Sequence, residues 1–233
     1  MMLKLAEGCQ QLESLDLGGL RFTDVYRLDQ LLEAVVRGHS ERLTTLKLPP
    51  TLTSTLVLSA VASCAKLKVF SVWITPNIGA QELIKTVENL NLVSLTWRNY
   101  DAVLDGGELA QFILYSDKFL ELEEFRLVDC IDVDNAISTA ISYRCQNLKS
   151  LSFHRSEMTP EGLLEILRKA EQLIELDVYK NTFFTLEHLE SLPVHTRNLT
   201  LLDIRGCSGM RSVTATTWKR IRSLLPALKV RFD

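Results

Sequence analysis

An L-x-x-L-x-L spacing recurs eight times along the 233 residues and constrains the fold more than any other feature. Its clearest copy runs through Leu148, Leu151 and Phe153, followed by Leu163, Leu164, Ile166 and Leu167 at helical spacing. Alternating apolar residues turn one side of a strand inward, whereas recurrence at three or four residues marks one stripe of a helix. Each unit is therefore a strand followed by a helix. The anchors are Leu12, Leu43, Leu67, Leu92, Leu122, Leu148, Leu173 and Leu199, at intervals of 31, 24, 25, 30, 26, 25 and 26 residues.

A period of about 27 residues is that of leucine-rich repeats. The expected fold class is α/β: a leucine-rich-repeat solenoid, or horseshoe, with a parallel sheet on the concave face, helices on the convex face and about 8–9 repeats. Residues 1–233 read as a single leucine-rich-repeat domain. A ninth strand is expected within Leu225–Phe232, anchored on Leu225 or Leu228. Thr159 followed by Pro160 has the order of a helix N-cap and first helical position. Residues Leu3 to Leu12 read as the back half of a helix whose strand is absent, so the N-terminal repeat is incomplete and an upstream segment is expected. No repeat buries its own faces, and Leu151→Ala is expected to cost about 2–5 kcal/mol.

With 46% apolar and 24% charged residues, the composition supports a continuous core. A net charge of −3 supplies no global attraction to phosphate backbones or anionic membranes, so neither nucleic acid nor membrane is expected as a partner. No apolar run has the length of a transmembrane helix, and the chain reads as cytoplasmic or nuclear. Five cysteines without a C-x-x-C pair indicate neither a disulfide framework nor a zinc ribbon. Nucleophile-elbow, phosphate-loop and zinc-protease motifs are missing, so no catalytic residue, metal or cofactor is expected. His188 and His195 read as ordinary surface residues.

Cys9, Cys64 and Cys145 each stand three residues before an anchor, and Cys130 and Cys207 stand three after a strand's last apolar position. With Met158-Thr-Pro-Glu-Gly-Leu-Leu, this pattern resembles the cysteine-containing repeats of F-box/LRR proteins. The resemblance implies inward cysteines and a substrate-recognition repeat domain of an SCF-type ubiquitin ligase, binding a protein substrate on its concave face. A Skp adaptor would be a partner only if an F-box lies upstream; that segment is not in this chain. The alternative is an F-box-less leucine-rich-repeat scaffold or complex-assembly factor, mitochondrial ones included. Repeats two to four depart from the pattern, with Pro49-Pro50 and Trp73-Ile74 following their strands.

Function then falls to the outward strand positions and the two residues after each strand's last apolar letter. There Trp73, Ile74, Arg98, Arg126, His154, Arg155, Tyr179, Lys180 and Arg205 are expected to form an aromatic and basic ridge. Tyr, Trp and Arg are the types enriched at interface hot spots, and an acidic or phosphorylated segment is the expected ligand. Two other readings stand beside this one: Trp73 folding over the strand edge, and the arginines pairing with Glu124, Asp177 and Asp203 across strands. Trp97 and Trp218 are assigned to the core.

Overall fold

The computed structural model describes residues 8–9, 11–21, 25–52, 54–76, 78–99, 106–130 and 134–232. The expected N-terminal half-helix falls mostly on residues 1–7, outside the described ones. The chain divides into two compact units, Met1–Leu104 and Asp105–Asp233.

In the first unit, strands β1 (Ser14–Asp16), β2 (Thr45–Lys47), β3 (Val69–Ile74) and β4 (Ser94–Asn99) alternate with helices α1 (Val25–Gly38), α2 (Thr55–Val61) and α3 (Ala80–Val87). In the second, α4 (Gly106–Tyr115), β5 (Glu124–Val128), α5 (Asn135–Arg144), β6 (Ser150–His154), α6 (Pro160–Lys169), β7 (Glu175–Asp177), α7 (Leu186–His195), β8 (Leu201–Asp203), α8 (Ala215–Leu224) and β9 (Lys229–Arg231) follow. Within each unit the strands pair in parallel, in chain order. This alternation is the leucine-rich-repeat solenoid architecture.

Register follows the repeat letters. Leu15, Leu46, Phe70 and Leu95 stand opposite one another in the first unit, and Phe125, Leu151, Leu176 and Leu202 in the second. All eight are buried, as are the helical stripe residues Leu32, Val35, Val36, Leu163 and Leu167. The ninth strand departs from both expected anchors. Val230 stands opposite Leu202, which puts the equivalent of an anchor at position 227, one residue before Leu228. Leu225 and Leu228 still point inward, because Leu228 closes the same turn onto the Leu225 carbonyl that Leu199 closes onto Thr196.

Strand length has a local cause. In β1, β7 and β8 the outward residue before the last apolar letter is Asp16, Asp177 or Asp203, and each carboxylate accepts the backbone N–H two residues on, at 3.1–3.2 Å. Such an Asx turn withdraws that amide from the ladder and ends the strand there. Strands with Ser71, Thr96, Arg126 or Ser152 at this position run on for five or six residues.

In the second unit the chain then turns through a left-handed residue at one repeat position: Asp129 (φ 55°), Arg155 (φ 51°), Lys180 (φ 57°) and Gly206 (φ 72°). The residue that follows points inward. Cys130, Ser156, Asn181 and Cys207 are buried. Asn181 donates to the carbonyl of Phe153 at 2.5 Å and accepts from the amide of Ser156 at 2.8 Å, and the thiol of Cys207 donates to the carbonyl of Val178 at 3.0 Å. Backbone groups that would otherwise be stranded inside are thus satisfied from the neighbouring repeat. Burial pushes the Cys64 thiol up to about 11 and the Cys145 thiol to about 12, as expected of packing rather than reactive cysteines.

Candidate functional site

Of the expected site residues, Trp73, Ile74 and Arg98 lie in the first unit and Arg126, His154, Arg155, Tyr179, Lys180 and Arg205 in the second. Ile74 requires a correction. It is 0% exposed and belongs to the core. The expected outward position assumes that the chain turns after the last apolar letter, whereas β3 continues through Ile74. Strand alternation then turns Phe70, Val72 and Ile74 to one side and Trp73 to the other. Trp73 is half-buried opposite Arg98, whose guanidinium carbon lies 5.7 Å from its ring centre. Trp97 is core, as expected, but Trp218 is only half-buried and meets Phe232 edge-to-face at 4.8 Å.

The second unit gathers its six into neighbouring rows. Asp177 is the pivot. Its Oδ1 accepts from the amide of Tyr179, while Oδ2 lies 2.7 Å from His154 Nε2. The His154 and Tyr179 rings meet edge-to-face at 5.4 Å. Over the Tyr179 ring stand Lys180 Nζ at 5.1 Å and Arg205 Cζ at 5.4 Å. Tyr179 is thereby held between a histidine edge and two cations, its backbone fixed by the turn that Asp177 makes.

Arg205 is anchored in turn by Asp203, which is 2% exposed. The guanidinium spans both carboxylate oxygens at 2.7–3.1 Å, and Arg231 approaches the same carboxylate at 3.6 Å. Burial opposes ionisation of Asp203, but the hydrogen bonds from Arg205 and the charges of Arg205 and Arg231 outweigh it and hold the carboxyl below its ordinary range. Arg126 pairs with Glu124 on its own strand, and Arg155 with Asp129 on the adjacent repeat at 3.5 Å. Arg126 and Arg205 thus pair within their own repeat, whereas Arg155–Asp129, His154–Asp177 and Arg231–Asp203 join neighbouring repeats.

With Glu124, Glu175, Asp177 and Asp203 set among these cations, the strand face of the second unit is close to charge balance. The sequence places the cations outward and offers Glu124, Asp177 and Asp203 as their partners, but not the turns by which Asp177 and Asp203 also fix the backbone of Tyr179 and Arg205. Their shared place in L-x-L-D was the available signal. Ser152, whose strand position predicts an outward, surface side chain, lies in register between Arg126 and Asp177 but is 1% exposed, and its hydroxyl has no hydrogen-bond partner. His188 is likewise not a surface residue. It is fully buried, accepts the Thr185 amide at Nδ1 and donates from Nε2 to the Pro160 carbonyl at 2.8 Å, stacked on Phe184.

Among the described residues, no group of three or more His, Cys, Asp and Glu side chains could hold a metal ion, and no helix is long and apolar enough to cross a membrane. What the geometry presents on the second unit is a strand face of aromatic, cationic and anionic side chains in mutual contact. Together with the repeat ladder, it defines a leucine-rich-repeat interaction scaffold fold.

No family model matches the chain, and comparison with curated proteins finds no match. Among solved structures, a chain of the yeast Rad7–Elc1 complex is similar over 98% of this chain and 70% of its own, at 14% identity and a TM-score of 0.57. The leucine-rich repeat-containing protein LegL7 of Legionella pneumophila is similar over 100% and 78%, at 13% identity and a TM-score of 0.49. An internalin of Listeria monocytogenes is similar over 96% and 81%, at 14% identity and a TM-score of 0.33. The likeness is one of fold alone.

Proposed function

We propose that this chain is a non-enzymatic leucine-rich-repeat scaffold that binds a protein partner on the strand face of its second unit. The observation that carries this reading is the fixed Tyr179. A half-exposed aromatic held by His154, Lys180 and Arg205 costs little entropy to present, and tyrosine and arginine are the types that dominate binding hot spots. Near balance of charge on this face favours a partner of mixed polarity over the acidic segment first expected. The yeast structure similar in fold was solved as a complex with a second protein, which supports an assembly role.

Substrate recognition for an SCF-type ubiquitin ligase is the second reading. It draws on the buried, repeat-registered Cys64, Cys130, Cys145 and Cys207, which match the repeat type that the sequence resembles. Affinity capture with the wild-type chain and with a Tyr179→Ala/Arg205→Ala variant, quantified by mass spectrometry, tests the shared claim. A partner retained by the first and lost by the second supports the strand-face site, and an unchanged capture profile contradicts it. Co-capture of a Skp adaptor by the full gene product separates the ligase reading from the assembly reading.

A further inference from the structure

A small recess opens on the strand face of the second unit, among the outward side chains of β6, β7 and β8. Arg126, Ser150, Glu175, Asp177, Asp203 and Arg231 line it, and it encloses about 50 Å³. Its cations are committed: Arg126 lies 2.5 Å from Glu124, and Arg231 approaches Asp203, whose carboxylate Arg205 also spans. Its carboxylates are in excess. Asp177 and Asp203 stand opposite one another in register, an unfavourable pairing of like charges, and Glu175 lies on the same side of β7 two residues before Asp177. Glu175 itself stands between Ser150 and Leu201, so neither neighbouring strand sets a cation opposite it. It accepts from the Ser150 hydroxyl at 3.3 Å, and no cation among the described residues lies within ion-pair distance. Ser152, outward between Arg126 and Asp177, is 1% exposed, and its hydroxyl has no partner among the described residues.

We infer that this recess takes the ammonium group of a lysine side chain from the protein partner, with Glu175 as the residue that selects it. The inference rests on the strand-face reading proposed above and names one part of what that face would recognise. A cation between Glu175 and Asp177 supplies the charge that the neighbouring strands do not, and it relieves the Asp177–Asp203 repulsion. An anion would meet three carboxylates. Size narrows the choice further: a water needs about 10–15 Å³ of such space, so the recess holds a group of a few heavy atoms and no aromatic ring. An ammonium directs three donors from one point, as carboxylate and hydroxyl oxygens on separate strands require, whereas the planar guanidinium fork suits a single coplanar carboxylate. Beside this space, the unsatisfied Ser152 hydroxyl is a buried acceptor that such a donor would complete.

The test uses the whole isotope-labelled chain and amide NMR titration at constant ionic strength. Three blocked probes are compared: N-acetyl-lysine methylamide, its Nε-acetylated form and N-acetyl-arginine methylamide. The lysine probe is expected to shift the amides of Ser152, Glu175 and Asp177, to bind about fivefold or more tightly than either other probe, and to lose that advantage in Glu175→Gln. Glu171→Gln, at an exposed carboxylate of the same unit, is expected to leave binding within about twofold. Amide spectra that match the wild type away from the substitution verify that both variants fold. Absence of localised shifts, an acetylated or arginine probe that binds as tightly, or equal behaviour of the two variants would each overturn the proposal. Affinity capture separates it from the wider reading. A partner lost by Tyr179→Ala but kept at the wild-type level by Glu175→Gln overturns the lysine recess alone, whereas a partner kept by both contradicts the strand-face site as well.

Discussion

The side-chain amide of Asn181 reaches back one repeat to the carbonyl of Phe153, while its oxygen takes the amide of Ser156. One buried side chain thus closes two backbone groups of the preceding repeat. Asn181→Ala would strand both in the interior, and the expected cost is about 2–4 kcal/mol. Urea unfolding of the variant checks this. A loss within experimental error would mean that water substitutes for the amide.

Gly206 sits at φ 72°, where an added Cβ would come 2.7 Å from Lys180 Cγ. Gly206→Ala meets both an unfavourable backbone and a crowded neighbour, and should destabilise by roughly 1–2 kcal/mol. The equivalent Lys180→Gly removes a side chain from a left-handed position and should be tolerated far better. Melting temperatures of the pair decide.

Acid should weaken the second unit in two steps. Burial holds the His188 ring below its ordinary range, so the unfolded chain takes up a proton first as pH falls through about 6.5, and stability begins to drop there. His188→Gln should flatten that step. Asp203 is also depressed, so its contribution is complete above an ordinary carboxylate pKa of about 3.9 and is lost as pH falls through its lower folded value. Asp203→Asn should remove this second step, as read from unfolding free energy against pH.

Cys64, Cys130, Cys145 and Cys207 are buried, whereas Cys9 is only half-buried. Iodoacetamide at neutral pH is expected to modify Cys9 and spare the other four until denaturant is added. Intact-mass spectrometry with and without guanidinium reads the difference.

The sequence showed most clearly what periodicity controls. Leu151, Leu176 and Leu202 could be placed opposite one another because a two-residue strand period and a constant repeat length leave no other register that buries them. Ile74 failed because outward position after the last apolar letter depends on where the strand ends. In three strands an aspartate at 16, 177 or 203 closes the strand, whereas β3, with Ser71 there, runs on; β2 stops as early at Lys47 without one. His188 was misread for a related reason, since its burial follows from a carbonyl supplied 28 residues away by Pro160. The arginines of the site and several acidic partners were visible as letters, but which carboxylate each arginine meets, Asp203 for Arg205 and Asp129 for Arg155, depends on turns and register that no spacing encodes.

The central claim is that Tyr179 anchors a protein partner on the second unit's strand face, and calorimetric titration of the captured partner against Tyr179→Ala tests it most directly. A loss of about 30-fold or more in affinity, the equivalent of roughly 2 kcal/mol, is the predicted result. A partner that binds Tyr179→Ala with wild-type affinity would contradict the account.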